Sequence, residues 1–140
     1  MHYSIPITIE GTVNWFHNNE QKDNRIDVVF ENGQDEIVAM GGLVSIDNTI
    51  KKAEFYIFVG PPFHRMGYGL KATNLLCKYG FDELHLHKIA LYANSENIAA
   101  INMYKKVGFK IEGILRDENI VNGKYSNRLY LGLIEDDYIG

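Results

Sequence analysis

Residues 52–59, Lys-Ala-Glu-Phe-Tyr-Ile-Phe-Val, form an aromatic and β-branched run that Gly60, Pro61 and Pro62 bring to a stop. Seven residues later the pattern is helical: Tyr68, Ala72, Leu75, Leu76 and Tyr79 share one face, and Leu70, Cys77 and Phe81 widen it. A strand feeding a helix through a turn that holds Gly67 and Gly69 constrains this chain more than any other feature. The helix must pack back on the sheet, and the next strand, residues 88–93, is expected parallel to the first. A glycine turn at a helix N-terminus also presents backbone N–H groups and the positive end of the helix dipole, which suits an anion.

The other elements follow from spacing. Residues 1–8 read as extended chain or loop. Thr8 can cap a short helix over residues 9–18, where Ile9, Val13 and Phe16 recur at helical intervals. Residues 26–30 read as a strand, Asn32-Gly33 as a hairpin signal and residues 36–46 as the partner strand. Gly41-Gly42 inside that strand suggests a bulge or a close backbone approach. A helix is expected over residues 96–106, capped by Asn94 or Ser95 and stopped by Gly108. Residues 109–115 and 127–134 read as the last strands, with Asn122-Gly123 turning the chain between them. The fold class is α+β: one domain over residues 1–140 with a mixed, mostly antiparallel sheet and flanking helices.

Composition excludes several functions. With 14 basic and 18 acidic residues the net charge is −4, so no global basic field points to nucleic acid. An anionic ligand must be held by local groups. No apolar run is long enough to span a membrane, and the first residues lack the pattern of a signal peptide. Cys77 is the only cysteine, so no intrachain disulfide forms. A cytoplasmic protein is expected. His85 and His87 make an H-x-H pair without further ligands at useful spacing, so no metal is expected.

Two nucleotide motifs compete for the glycine turn. The Walker pattern requires Gly-Lys-Ser/Thr, but Gly69 precedes Leu70. The dinucleotide fingerprint is formally matched by Gly67, Gly69 and Ala72, yet residues 60–66 separate it from the strand, and the following strand ends in Leu91-Tyr92-Ala93-Asn94 with no acid for a ribose. The passage Pro62-Phe63-His64-Arg65-Met66-Gly67-Tyr68-Gly69 instead resembles the pyrophosphate loop of the GNAT superfamily of N-acetyltransferases, with His64 where that pattern has Gln or Arg. Residues 94–109, with Asn97, Tyr104 and Gly108-Phe109, resemble a second signature of the same superfamily. The tail, Glu112-Gly113-Ile114-Leu115-Arg116-Asp117 with Asn122-Gly123-Lys124-Tyr125, is similar to the branch acting on ribosomal-protein N-termini, polyamines and nucleotide-linked amino sugars.

The resemblance implies a parallel pair of strands that splay apart, in a fold here lacking the usual first strand and helix. It implies acetyl-CoA as donor. His64, Arg65, Met66, Gly67, Tyr68, Gly69 and Leu70 would bind its pyrophosphate, and Asn97 the pantetheine together with backbone groups of Ile57, Phe58 and Val59. Asn102, Lys105 and Lys106 would reach its nucleotide end. Tyr104 matches the general acid for the leaving thiolate; its helical spacing with Ala100 and Val107 equally allows simple packing. Glu54 is the expected base through water, with Tyr56 on the same strand face. The alternative for Glu54 is an outward carboxylate paired with Lys51 or Lys52. The implied acceptor is a small-molecule primary amine, leaning to a nucleotide-linked amino sugar, with a polyamine or a protein N-terminus as rivals. A non-catalytic CoA-binding module is the other class of reading, and a homodimer is possible through the last strands.

Overall fold

The computed structural model describes the backbone course of residues 4–8 and residues 24–139. In chain order the elements are β1 (Ser4–Thr8), β2 (Ile26–Glu31), β3 (Ile37–Asp47), β4 (Lys52–Val59), α1 (Tyr68–Asp82), β5 (Lys88–Asn94), α2 (Ile98–Val107), β6 (Lys110–Val121) and β7 (Lys124–Ile134). The strands form one sheet in the order β1-β2-β3-β4-β5-β7-β6. β2, β3 and β4 are an antiparallel meander, and β5, β7 and β6 pair antiparallel. The parallel β4–β5 pair expected of the helical crossover joins the two groups. A first strand was expected to be lacking, but Ser4–Thr8 lies at the edge and runs parallel to β2. The helix expected over residues 9–18 lies outside the described residues.

Alternation divides the sheet into two faces. Val28, Phe30, Leu43, Phe55, Ile89, Leu91, Leu131 and Leu133 are buried on one face, where α1 and α2 pack and touch each other. α1 turns Ala72, Leu76, Cys77 and Tyr79 into that core, and α2 turns in Ile101, Tyr104 and Val107. On the other face lie Asp27, Glu54, Tyr56, Tyr92, Arg128 and Tyr130.

Gly41 and Gly42 mark a close approach, not a bulge. Their register with Ile57 and Tyr56 is regular, and the irregularity falls later, between Val44 and Asp47. A Cβ on Gly41 would meet the Tyr56 carbonyl at 2.8 Å and Leu76 Cδ1 at 3.0 Å; on Gly42 it would meet the Ile26 carbonyl at 2.3 Å. The β2–β3 connection is longer than a two-residue turn. Asn32 Oδ1 accepts from the N–H groups of Gln34 and Glu36, and its amide donates to Glu36.

Candidate active site

The β4–β5 ladder is only three pairs long: Lys52 with Lys88, Ala53 with Ile89, Glu54 with Ala90. Beyond it β4 continues to Val59 and β5 to Asn94 without pairing. Each separates toward its own outer neighbour, β3 or β7, so the edges facing each other keep N–H and C=O groups outside any ladder. Buried backbone groups of this kind require a partner. On the helix face the gap opens into a cleft of about 650 Å³. Ile57, Phe58 and Val59 line one side, and Asn97, Ala99, Ala100, Met103 and Tyr104 the other.

The loop after β4 closes the cleft's outer end. Pro61–Phe63 forms a single 3-10 turn. His64, the irregular position of the motif, turns its ring back: Nε2 lies 2.8 Å from the Val59 carbonyl. Its role here is to brace the loop against the strand. Arg65 (φ 64°) and Gly67 (φ 82°) take left-handed backbone conformations that tighten the turn. Gly67 is then the N-cap of α1, with no side-chain cap and no acid in the first turn. The helical ladder begins with the Lys71 N–H donating to the Gly67 carbonyl. The N–H groups of Tyr68, Gly69 and Leu70 precede it and face the cleft end, with the helix dipole behind them. Gly69 keeps the approach open: a Cβ there would find only Met103 and Val59 at van der Waals distance.

Tyr104 sits at the cleft's inner end, 8% exposed. Its ring meets Phe55 edge-on (6.1 Å between centroids) and Phe109 (5.8 Å). Burial, with Cys77 adding to it, pushes its pKa up to about 12. The phenol therefore holds its proton throughout the neutral range. Against a free thiol near 8.5, complete proton transfer to a thiolate would run uphill, so Tyr104 is suited to donating a hydrogen bond to developing negative charge.

Glu54 is the last β4 residue in the β4–β5 ladder. It neighbours Phe55, which touches Tyr104, so its side chain falls on the opposite face of the sheet. Tyr104 and Glu54 thus flank the point where the sheet parts, one from each face. Tyr56, on the Glu54 face, donates to Asp27 Oδ1 at 2.6 Å; Arg25 grips the same carboxylate at 2.7 and 2.8 Å. Burial first, then the Asp27 bond, pushes the Tyr56 pKa up to about 12.

Several expected positions stand differently. Asn97 itself caps α2, its Oδ1 accepting from the Ala100 N–H at 3.2 Å, while Asn94 accepts from Glu96 and Ser126. The cap uses only the oxygen, so the Asn97 amide remains available to a ligand in the cleft. Met66, Asn102 and Lys105 are outside the lining, and Lys106 is in it. Helical geometry gives the reason, since Lys106 lies one turn after Met103 on the cleft side and Lys105 points a further 100° round the helix. Phe63, Ala99, Ala100 and Met103 line the cleft without having been singled out as site residues; the same spacing through Tyr104 could have found the last three. His85 is exposed with φ 56°, His87 is exposed, and Leu86 between them is buried. Cys77 is buried, and burial pushes its thiol pKa up, which removes nucleophilic character.

A sheet parted between two parallel strands, with an uncapped helix N-terminus at one end of the cleft and a phenol at the other, is the arrangement expected of an acetyltransferase domain. The chain belongs to the GNAT acetyltransferase family, whose domain model matches residues 1–110. It is similar to a spermidine N(1)-acetyltransferase of Escherichia coli (strain K12), 36% identical over 97 residues, covering 69% of this chain and 52% of that protein. A Vibrio cholerae enzyme of the same name is 31% identical over 111 residues, covering 79% and 64%. The chain thus spans about half to two-thirds of the length of these relatives. A crystal structure of spermidine N-acetyltransferase from Vibrio cholerae in complex with CoA and spermine superposes with a TM-score of 0.80 at 28% identity, covering 87% of this chain and 72% of that one.

Proposed function

We propose that this protein transfers an acetyl group from acetyl-CoA directly to a primary amine of a polyamine of the spermidine type. The observation that carries the reading is the β4–β5 ladder ending at Glu54–Ala90, beside a cleft that runs from the bare N–H groups of α1 to the Tyr104 phenol. The polyamine replaces the nucleotide-linked amino sugar suggested by the tail, because the relatives named above are spermidine acetyltransferases.

The residues present suit the donor. The N–H groups of Tyr68, Gly69 and Leu70, with Arg65 beside them, would hold a diphosphate. Backbone groups of Ile57, Phe58 and Val59 and the Asn97 amide would hold the pantetheine amides. Lys106 stands at the cleft for more distant phosphate. Acetyl-CoA supplies the acetyl group as a thioester already activated for attack by an amine. Glu54 accepts a proton from the acceptor ammonium through water, which leaves the nitrogen lone pair free. Tyr104 directs its phenolic proton at the departing sulfur and stabilises charge there. The two groups reach the parting of the sheet from opposite faces.

Release of free thiol from acetyl-CoA in the presence of spermidine tests the proposal. Turnover that falls on Tyr104→Phe is expected. Tight CoA binding with no turnover on any amine, and no effect of that substitution, would leave a binding module instead.

A further inference from the structure

On the face away from the cleft, β5 and β7 carry a ladder of aromatic rings and cations. The Arg128 guanidinium lies 4.1 Å from the centre of the Tyr92 ring. Tyr92 packs on Tyr130 at 5.0 Å, and Lys52 Nζ and Lys88 Nζ lie 5.5 and 5.6 Å from the Tyr130 centroid. Lys88 is paired with Glu112 at 2.6 Å. Arg128 and Lys52 have no carboxylate within salt-bridge distance among the described residues. Glu54 acts on Lys52 only at longer range, and Asp47, opposite Lys52 on β3, accepts from the N–H groups of Thr49 and Ile50. Arg128 is remote in register from Glu54 and Glu112: its partners are Asn94 on β5 and Leu115 on β6, whereas Glu54 pairs at Ala90. The acids nearest it on β6, Asp117 and Glu118, lie in the bulge opposite Asn127 and, among the described residues, make no salt bridge with it.

Arg128 also lines a hollow of about 540 Å³ with Tyr92, Ala93, Asn94, Asn119 and Ile120. Asn94 Oδ1 is engaged by the Ser126 hydroxyl and the Glu96 N–H, so what it adds to the hollow is its amide donor. A stacked guanidinium is held in one plane, and its edge stays open to a planar oxyanion with little further loss of side-chain entropy. The hollow therefore has a positive head held over the Tyr92 ring, with amide donors around it.

We infer that this hollow is a binding site for a carboxylate or phosphate group, held by the Arg128 edge with the Asn94 and Asn119 amides and supported in its field by Lys52. It lies on the Glu54 side of the sheet, next to where the strands part, and is separate from the diphosphate end of the cleft. The anion has two possible sources: an acidic group carried by the acceptor amine, or a free small acid bound alongside it. This site goes beyond the polyamine reading and stands or falls without it.

Calorimetric titration of the whole protein at low ionic strength, with glutarate and with inorganic phosphate, tests the site directly. Saturable binding is expected, weakened about tenfold or more in Arg128→Gln, the loss of one charge-assisted bidentate contact. Arg128→Lys should retain part of it, and Lys52→Gln, which leaves the Tyr92–Arg128 stack intact, should weaken it less. Equal affinity in wild type and Arg128→Gln, with both folded by circular dichroism, overturns the proposal, as does absence of saturable binding. Thiol release with 6-aminohexanoate and hexylamine assigns the source. A KM lower by about tenfold for the acid, collapsing toward equality in Arg128→Gln, places the anion on the acceptor. Equal KM values with glutarate binding intact place it in a separate molecule. If spermidine and every other amine are left unacetylated, the catalytic reading fails while the titration still decides the site.

Discussion

Gly42 shows how little room the sheet leaves around Tyr56. A methyl there would lie 2.3 Å from the Ile26 carbonyl, 2.7 Å from Tyr56 Cε1 and 3.2 Å from Asp27 Oδ1, the oxygen that the Tyr56 hydroxyl donates to. Gly42→Ala should cost about 1–3 kcal/mol, read as a lower urea midpoint at constant slope. At Tyr104 the prediction separates chemistry from packing. Tyr104→Phe keeps the ring between Phe55 and Phe109 and removes only the hydroxyl. Melting should be little changed, while kcat for thiol release falls by roughly 10²-fold, as for loss of a positioned hydrogen-bond donor to developing negative charge. Asn97 caps α2 and is proposed to hold the pantetheine, two duties that substitution can part. Asn97→Ser keeps a capping oxygen and should preserve stability within a few tenths of a kcal/mol, yet raise the KM for acetyl-CoA; Asn97→Ala should do that and lose about 1 kcal/mol of stability as well.

At the scale of elements, the N-terminus of α1 offers a sharper test. Gly69→Asp removes a flexible residue and places an anion in the first helical turn, where space is ordinary. Both changes favour the helix, by roughly 0.5–1 kcal/mol each. The same carboxylate would repel a diphosphate. A raised melting temperature together with a KM for acetyl-CoA increased more than about tenfold is expected, and an unchanged KM would remove the phosphate role from this turn. β4 and α1 were legible to the residue, because apolar spacing changes period abruptly and prolines and glycines mark the change. β6 was read six residues short. Arg116-Asp117-Glu118-Asn119 reads as loop, but the chain absorbs these residues as a bulge, with Asp117 at φ 55° and its N–H held by Asn127 Oδ1. The expected start of α2 lies two residues early because Asn94 and Ser95 have the same capping chemistry as Asn97, the residue that caps it, and Asn94 is instead engaged by the Glu96 N–H and the Ser126 hydroxyl. The loop motif was legible as an anion turn; the inward fold of His64 was not, since nothing local says that its ring reaches the Val59 carbonyl.

For the molecule as a whole, buried phenols dominate the alkaline response. Tyr56, Tyr79, Tyr104 and Tyr138 are each pushed from 10.0 up to about 12, first by burial, and Cys77 is raised from 9.0. The unfolded chain releases these protons at lower pH than the folded one. Stability is therefore undiminished by them below about pH 9, begins to fall as the unfolded groups ionise, and is lost progressively as pH climbs through 12. Thermal melts should be flat from pH 7 to 8.5 and drop steeply above 10, and Cys77 should resist thiol reagents until that drop. The three-pair seam between β4 and β5 has a mechanical consequence. Among the described residues, two half-sheets, four strands and three, are joined in backbone hydrogen bonding along a short seam, residues 51–54 against 87–90. So short a seam is a compliant line, and a pantetheine arm laid along it would act as a staple between the halves. Deuterium uptake should therefore be fast at the gap-facing amides of residues 55–59 and 91–94 although they belong to long strands, and CoA should slow it along both lips together.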